Sequence, residues 1–171
     1  GGKLASVYAS YLHNKFGTAG KPKQSINVIS FAAPAAGNQS FADTFNKIFP
    51  GAIRIENKND LVPKFPVSGR MSDLKNLFSS GPDASAIDVG YKGFTVKLNT
   101  AIGFLSTAMN IIDITNGGAY VQIAGEGKLI PIPLSGKNNS SSIENWLAEA
   151  KHQHGMAQYA KFFGGPVIDC E

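Results

Sequence analysis

The sequence predicts an α/β fold built on a doubly wound, mostly parallel sheet. Two observations carry that expectation. The first 66 residues alternate helix, strand, helix and strand at the spacing of α/β units. The strand Ile53-Arg54-Ile55-Glu56, with its two-residue alternation, then runs directly into Asn57-Lys58-Asn59-Asp60, residues whose side chains bond local backbone and favour turns. Pro63 and Pro66 forbid a continuing helix or ladder beyond it. The outcome is a carboxylate, Asp60, on a stiffened loop at the carboxyl end of a strand. Open α/β sheets gather their chemistry there.

Each element has its own signal. Leu4, Val7, Tyr8 and Tyr11 recur at helical spacing and predict a first helix with these residues as its buried face. His13 lies opposite Leu4 on that helix and reads as a solvated histidine. Gly17, Gly20 and Pro22 mark a loop over residues 15–23. Residues 26–31 are short, β-branched and mostly apolar, as in a buried parallel strand. Residues 41–47 form an amphipathic pattern with a cap at Asn38 or Ser40, ended by Pro50-Gly51. Residues 71–78 predict a short helix with Leu74 and Phe78 on one face, and Gly81-Pro82 a turn. Residues 91–98 alternate as a strand. Residues 100–114 are strongly apolar and predict a buried or capping helix, with Ile102, Leu105, Met109 and Ile112 spread widely around it. Residues 119–124 and 129–134, joined by Gly125-Glu126-Gly127-Lys128, predict a β-hairpin. Ser140-Ser141-Ser142 then caps a last helix that buries Ile143, Trp146, Leu147 and Ala150.

Composition excludes several classes of function. With 43% apolar and 16% charged residues the chain is globular, not disordered. Sixteen basic against twelve acidic residues give a net charge of +4, but they are scattered, with no basic run or arginine–aromatic patch for nucleic acid. The single Cys170 excludes an internal disulfide. His152 and His154 have a metal-ligand spacing, yet no further ligand accompanies them, so neither a metal nor another cofactor is expected. Helical phase separates the two. Counted from Ile143, His154 falls within about 20° of the buried face and His152 about 180° away, which aims His154 inward.

The block Val28-Ile29-Ser30-Phe31-Ala32-Ala33-Pro34-Ala35-Ala36-Gly37-Asn38, the helix carrying Phe41, and Asn57-Lys58-Asn59-Asp60-Leu61-Val62-Pro63 together resemble the fungal-type (class 3) lipase family of α/β hydrolases. In that family the nucleophile elbow, commonly Gly-His-Ser-Leu-Gly-Gly, enters a helix, and this chain opens with Gly1-Gly2 entering one. The resemblance implies that Gly1 and Gly2 close that motif and that the nucleophilic Ser lies two positions before Gly1. Residues 1–171 would then be the C-terminal part of one α/β-hydrolase domain, its N-terminal part absent. No internal G-x-S-x-G competes: Ser6, Ser10, Ser30 and Ser40 lack the flanking glycines that expose a nucleophile on a strained turn.

Hydrolases of this fold order their triad Ser, Asp, His. The resemblance therefore nominates Asp60 as the acid and His154 as the base, and His154-Gly155-Met156-Ala157-Gln158-Tyr159 is similar to the family's His segment with its following aromatic. The implied function is Ser-His-Asp hydrolysis of acyl-lipid esters of the triacylglycerol type. A phospholipase, an esterase of smaller substrates and a catalytically inactive module are the alternatives. The helix over 100–114 becomes a candidate wall of an acyl-chain site. The expected partners are a lipid or ester substrate and, transiently, a lipid–water interface, with no nucleic acid. The missing N-terminal segment is needed to complete the site.

Overall fold

In a computed structural model describing residues 2–16, 26–78, 83–115, 117–137 and 141–166, helix α1 (Gly2–Phe16) leads into β1 (Ile29–Phe31), β2 (Gly37–Asn38), α2 (Gln39–Ile48) and β3 (Ile53–Asn57). Two 3-10 segments follow, Val62–Lys64 and Ser68–Asn76, then β4 (Asp88–Tyr91), β5 (Phe94–Lys97) and α3 (Leu98–Thr115). The chain continues through β6 (Tyr120–Val121), β7 (Lys128–Ile130), α4 (Ile143–His154) and α5 (Met156–Phe162). Most of the loop expected over 15–23 lies outside the described residues, as do Gly1, the Gly81-Pro82 turn, Ser140 and Cys170.

The main sheet is parallel, in the order β1-β3-β7. Ile29 faces Ile53 across one ladder and Ile55 faces Lys128 across the other. Helices and a parallel sheet in this arrangement are those of part of an α/β-hydrolase fold. The central strand β3 is covered on both faces, which its alternating sequence does not announce. Ile53 and Ile55 pack with Ala32, Ile130, Ile132 and Tyr159. On the other face, Arg54 ion-pairs with Glu56, and the same carboxylate takes Arg70 at 3.2 Å. Arg54 also donates to the carbonyls of Ile123 (2.9 Å) and Gly125 (2.6 Å). Burial, and then the charge of Arg70, pull its guanidinium down to about 10.

Helix α1 turns the opposite way from its apolar pattern. Leu4 is 73% exposed, and Val7, Tyr8 and Tyr11 are exposed too. The inward face is the half-buried Gly2 with the buried Ser6 and Ala9, small residues that share one side at helical spacing. They allow a close approach to β1: a Cβ added at Gly2 would stand 2.6 Å from Ala33 Cβ. Ser6 is cheap to bury because its hydroxyl donates to the carbonyl of Gly2 at 3.2 Å. His13 belongs to the same side, so it is half-buried and meets the Phe49 ring edge-on at 5.8 Å instead of standing in solvent.

Helix α2 starts where Asn38 accepts the N–H of Phe41 at 3.2 Å, so Asn38 and not Ser40 is the cap. The single strand expected over 91–98 is a hairpin, β4 and β5. Lys92 and Gly93 both take positive φ, the pair of conformations that a tight two-residue turn needs. The hairpin expected over 119–134 does not form. β6 pairs antiparallel with β2, and β7 extends the main sheet beside β3. The carbonyls of Ile123 and Gly125, next to that expected turn, are taken by Arg54 instead.

Helix α3 buries one stripe, Leu98, Ile102, Met109 and Asp113. Leu98, Ile102 and Met109 join a core containing Met71, Leu74, Leu77, Phe78, Ile87 and Trp146. Phe104, Ile111 and Ile114 point to solvent, so the helix is half covered, not buried all round. No described helix is long and apolar enough to cross a membrane.

Candidate active site

The site begins where β3 stops. Lys58 N–H still bonds the carbonyl of Ile130 at 3.1 Å, and then the chain turns, with Asp60 N–H on the carbonyl of Asn57 at 3.0 Å. Asn57 and Asn59 shape this turn. The Asn57 side-chain oxygen accepts Asn59 N–H at 3.2 Å, and the Asn59 amide donates to the carbonyl of Ile132 at 3.2 Å. Asp60 emerges fully buried, at 0% exposure. Its Oδ1 accepts Val62 N–H at 2.9 Å, which fixes the carboxylate against the loop that Pro63 stiffens.

The second half arrives on α4. Ser142 caps this helix by accepting the N–H of Glu144 at 3.2 Å, and Gly155 ends it in an extended conformation. Its buried stripe is Trp146, Glu149, Ala150 and Gln153, whereas Leu147 is exposed. That stripe is rotated from the one expected, because Glu149 and Gln153 find polar partners inside and take places an apolar reading assigns elsewhere. His154 therefore sits at the border of the buried stripe, with a side chain 44% exposed, and does not point into the core.

The border position serves the pair well. His154 Nδ1 lies 2.9 Å from Asp60 Oδ2 and 3.2 Å from Oδ1, a contact between residues 94 apart in sequence. A buried carboxylate can only accept, so Nδ1 carries the proton and Nε2 is left as the basic nitrogen. The bond to Asp60 raises the imidazole above its ordinary 6.5. Partial burial works against this, and the charge of Asp60 adds to it.

A third group meets the carboxylate. Tyr159 on α5 is buried and donates its hydroxyl to Asp60 Oδ2 at 3.0 Å, while accepting Asn57 N–H at 2.9 Å. Burial first, and the charge of Asp60 second, push this phenol well above its ordinary value, so it stays a donor. Sequence reading notices Tyr159 only as an aromatic after the histidine. His152 takes no part: it borders a cavity of about 370 Å³ with Ile132, Leu134 and Phe162. A larger cavity of about 570 Å³ is lined by Arg54, Glu56, Arg70 and Gln122 among others, and neither Asp60 nor His154 borders it. Among the described residues, no three His, Cys, Asp or Glu side chains gather to hold a metal ion.

A family model described as lipase (class 3) matches residues 1–69. A crystal structure of M37 lipase superposes on 96% of this chain with a TM-score of 0.68 and 27% sequence identity. The chain is thus similar to class 3 lipases over its first 69 residues and to the M37 lipase over almost its whole length. No curated protein sequence matches the chain. The chain spans 42% of the length of the M37 lipase chain. Within the class 3 lipase match lie the helix–strand approach at Gly2 and the Asp60 loop; His154 and Tyr159 come from beyond it. The matched segment thus ends within the second 3-10 turn, and the rest of the chain returns through β7, α4 and α5 to close around Asp60.

Proposed function

We propose that this chain supplies the acid and the base of a serine ester hydrolase, a lipase acting on acyl-lipid esters, whose nucleophilic Ser precedes Gly1. The observation that carries the proposal is the 2.9 Å contact between His154 Nδ1 and the fully buried Asp60. A Ser hydroxyl is a weak nucleophile until a base takes its proton. His154 is suited to that step: Asp60 holds its tautomer and stabilises the imidazolium, while Nε2 is free to accept the proton as the Ser oxygen attacks the ester carbonyl. The same proton then passes to the departing alcohol oxygen. A water molecule, deprotonated by the same nitrogen, releases the acid and restores the Ser.

The lipase family match and the M37 lipase likeness support an ester of an acyl lipid as substrate. Helix α3 is the element suited to touch a lipid surface, since its outward residues Phe104, Ile111 and Ile112 are apolar and no charged residue lies between Leu98 and Ile112. The test compares two histidines in the full-length protein. His154→Ala abolishes hydrolysis of a p-nitrophenyl ester, whereas His152→Ala leaves it within about threefold, the scale of a group outside the reacting set. The reverse pattern would remove His154 from the role.

A further inference from the structure

We infer that Asn57 and Gln153 form a clamp that positions Asp60 against His154; this rests on the triad reading above. His154 is the last residue of α4, is nearly half exposed, and is followed at once by the break at Gly155. Helix ends of that kind fray unless something holds them. What holds this one is the residue before it. Gln153 is fully buried, and all its side-chain polar atoms are used. Its Nε2 donates to the carbonyl of Pro133 at 2.9 Å and to Glu149 Oε1 at 2.7 Å. Its Oε1 accepts Asn57 Nδ2 at 2.6 Å, and the same Asn57 nitrogen donates to the Gln153 carbonyl at 3.0 Å.

Asn57 is the last residue of β3, three before Asp60. Its other side-chain atom holds the Asp60 loop through Asn59 N–H, and its own N–H reaches Tyr159. One amide pair thus joins the strand that delivers the acid to the helix that delivers the base, next to each of them. Glu149 anchors the arrangement by accepting Ser135 N–H (2.9 Å), Ser135 Oγ (2.6 Å) and Lys137 N–H (3.1 Å). Apolar side chains would bury as readily here, but they tolerate sliding. Directional bonds between fully desolvated amides permit one register, and any other leaves buried donors unpaired.

A misplacement of about 1 Å at a reacting pair costs about 10²-fold in rate. Gln153→Met in the full-length protein keeps the length and burial of the side chain and deletes its bonds to Asn57, Pro133 and Glu149, leaving only the Asn57 bond to the main-chain carbonyl. The expected result is a kcat about 10- to 100-fold lower with KM within about threefold, the signature of lost transition-state positioning. The acid limb of kcat/KM moves toward the ordinary histidine value as the Asp60 bond loosens. The downfield proton signal of the His154 Nδ1–H broadens or disappears.

Asn57→Ser, which keeps an acceptor for Asn59 N–H but is too short to reach Gln153, carries the same expectation and serves if Gln153→Met does not fold. The double variant loses less than the product of the two single losses, because the Asn57 Nδ2–Gln153 Oε1 bond is common to both. An unchanged kcat and acid limb in either folded variant overturns the clamp, as does a multiplicative loss in the double. Asp60→Asn, assayed in parallel, separates the two ideas. A deep loss there, with the clamp variants unmoved, overturns the clamp alone; no loss there overturns the triad and the clamp with it.

Discussion

Replacing Asp60 by Asn changes almost nothing in shape and nearly everything in hydrogen-bonding capacity. The carboxylate accepts from three groups: Val62 N–H at 2.9 Å, Tyr159 O–H at 3.0 Å and His154 Nδ1 at 2.9 Å. An amide has one accepting oxygen. If that oxygen stays on Val62 N–H, the NH₂ group faces Tyr159 and His154. The Tyr159 hydroxyl already receives Asn57 N–H, so its own proton loses its acceptor. The imidazole must then bare Nδ1 and carry its proton on Nε2, where the base is needed. With the amide turned over, its NH₂ confronts Val62 N–H and the turn loses its brace. Either orientation strands a buried donor, costing about 1–3 kcal/mol of stability.

The kinetic cost is larger. In the serine-protease template the same change lowers turnover about 10⁴-fold. At about 1.36 kcal/mol per factor of ten, that is about 5.5 kcal/mol of barrier. The assay is kcat on a p-nitrophenyl ester for the full-length enzyme, expressed per folded molecule, beside the thermal midpoint. A buried turn former without catalytic duty predicts a lowered midpoint and an unchanged kcat. Near-normal kcat per folded molecule, whatever the midpoint, refutes the assignment.

Three further outcomes follow from the same geometry. Tyr159→Phe strands the buried Asn57 N–H and takes one donor from Asp60, so the midpoint drops by the equivalent of about 1–3 kcal/mol. Because His154 keeps its own bond to Asp60, kcat drops no more than about tenfold, a share consistent with one hydrogen bond to a charged group. His154 is raised above 6.5, so the acid limb of kcat/KM lies above that value in the wild type and moves down in Asp60→Asn. By linkage, the stability that protonated His154 contributes is fully present below its unfolded value, near 6.5, and is lost as pH rises through the folded one; an NMR titration of the ring with a thermal-midpoint pH series checks both. Glu56→Gln leaves Arg54 and Arg70 facing each other without the shared carboxylate, which destabilises by about 3–5 kcal/mol in a denaturant titration. Turnover per folded molecule stays unchanged in that variant, since the cluster lies outside the Asp60–His154 pair.

How much of this is legible in the chain depends on whether the deciding interaction is local. β3 and its turn are legible because alternation, Asn57 through Asp60 and the two prolines all act within a few residues. The start of α2 is legible for the same reason: its cap is three residues from the N–H it satisfies. Strand pairing is not local. β6 and β7 look like partners in sequence, but Arg54, some seventy residues earlier, occupies carbonyls beside their turn. The face of α1 is hidden differently. Periodicity reports that Leu4, Val7, Tyr8 and Tyr11 share a side, not that the sheet takes the other side. Gly2, Ser6 and Ala9 win that contact because small residues admit the closest backbone approach.

The candidate site divides along the same line. Chain order and the resemblance put Asp60 and His154 forward as a pair; phase aims His154 inward and His152 outward, whereas His154 is the exposed one and His152 is half-buried. What phase cannot see is a polar residue that belongs inside. Counting apolar positions on α4 centres the buried side on Ile143, yet Glu149 and Gln153 are fully buried and rotate the stripe. Their burial is tolerable only because partners lie far off in sequence: Ser135 and Lys137 for one, Pro133 and Asn57 for the other. The usable signal is the spacing itself. Glu149 and Gln153 stand four apart and flank Trp146 and Ala150 at core positions of a capped helix, where an uncompensated charge and amide would cost several kcal/mol. Polar residues in apolar phase, directly before a histidine, mark a network that fixes where the histidine ends up. His154 is accordingly a border residue: Gln153 beside it is buried, and the next side chain is 44% exposed yet meets Asp60 through Nδ1 at 2.9 Å.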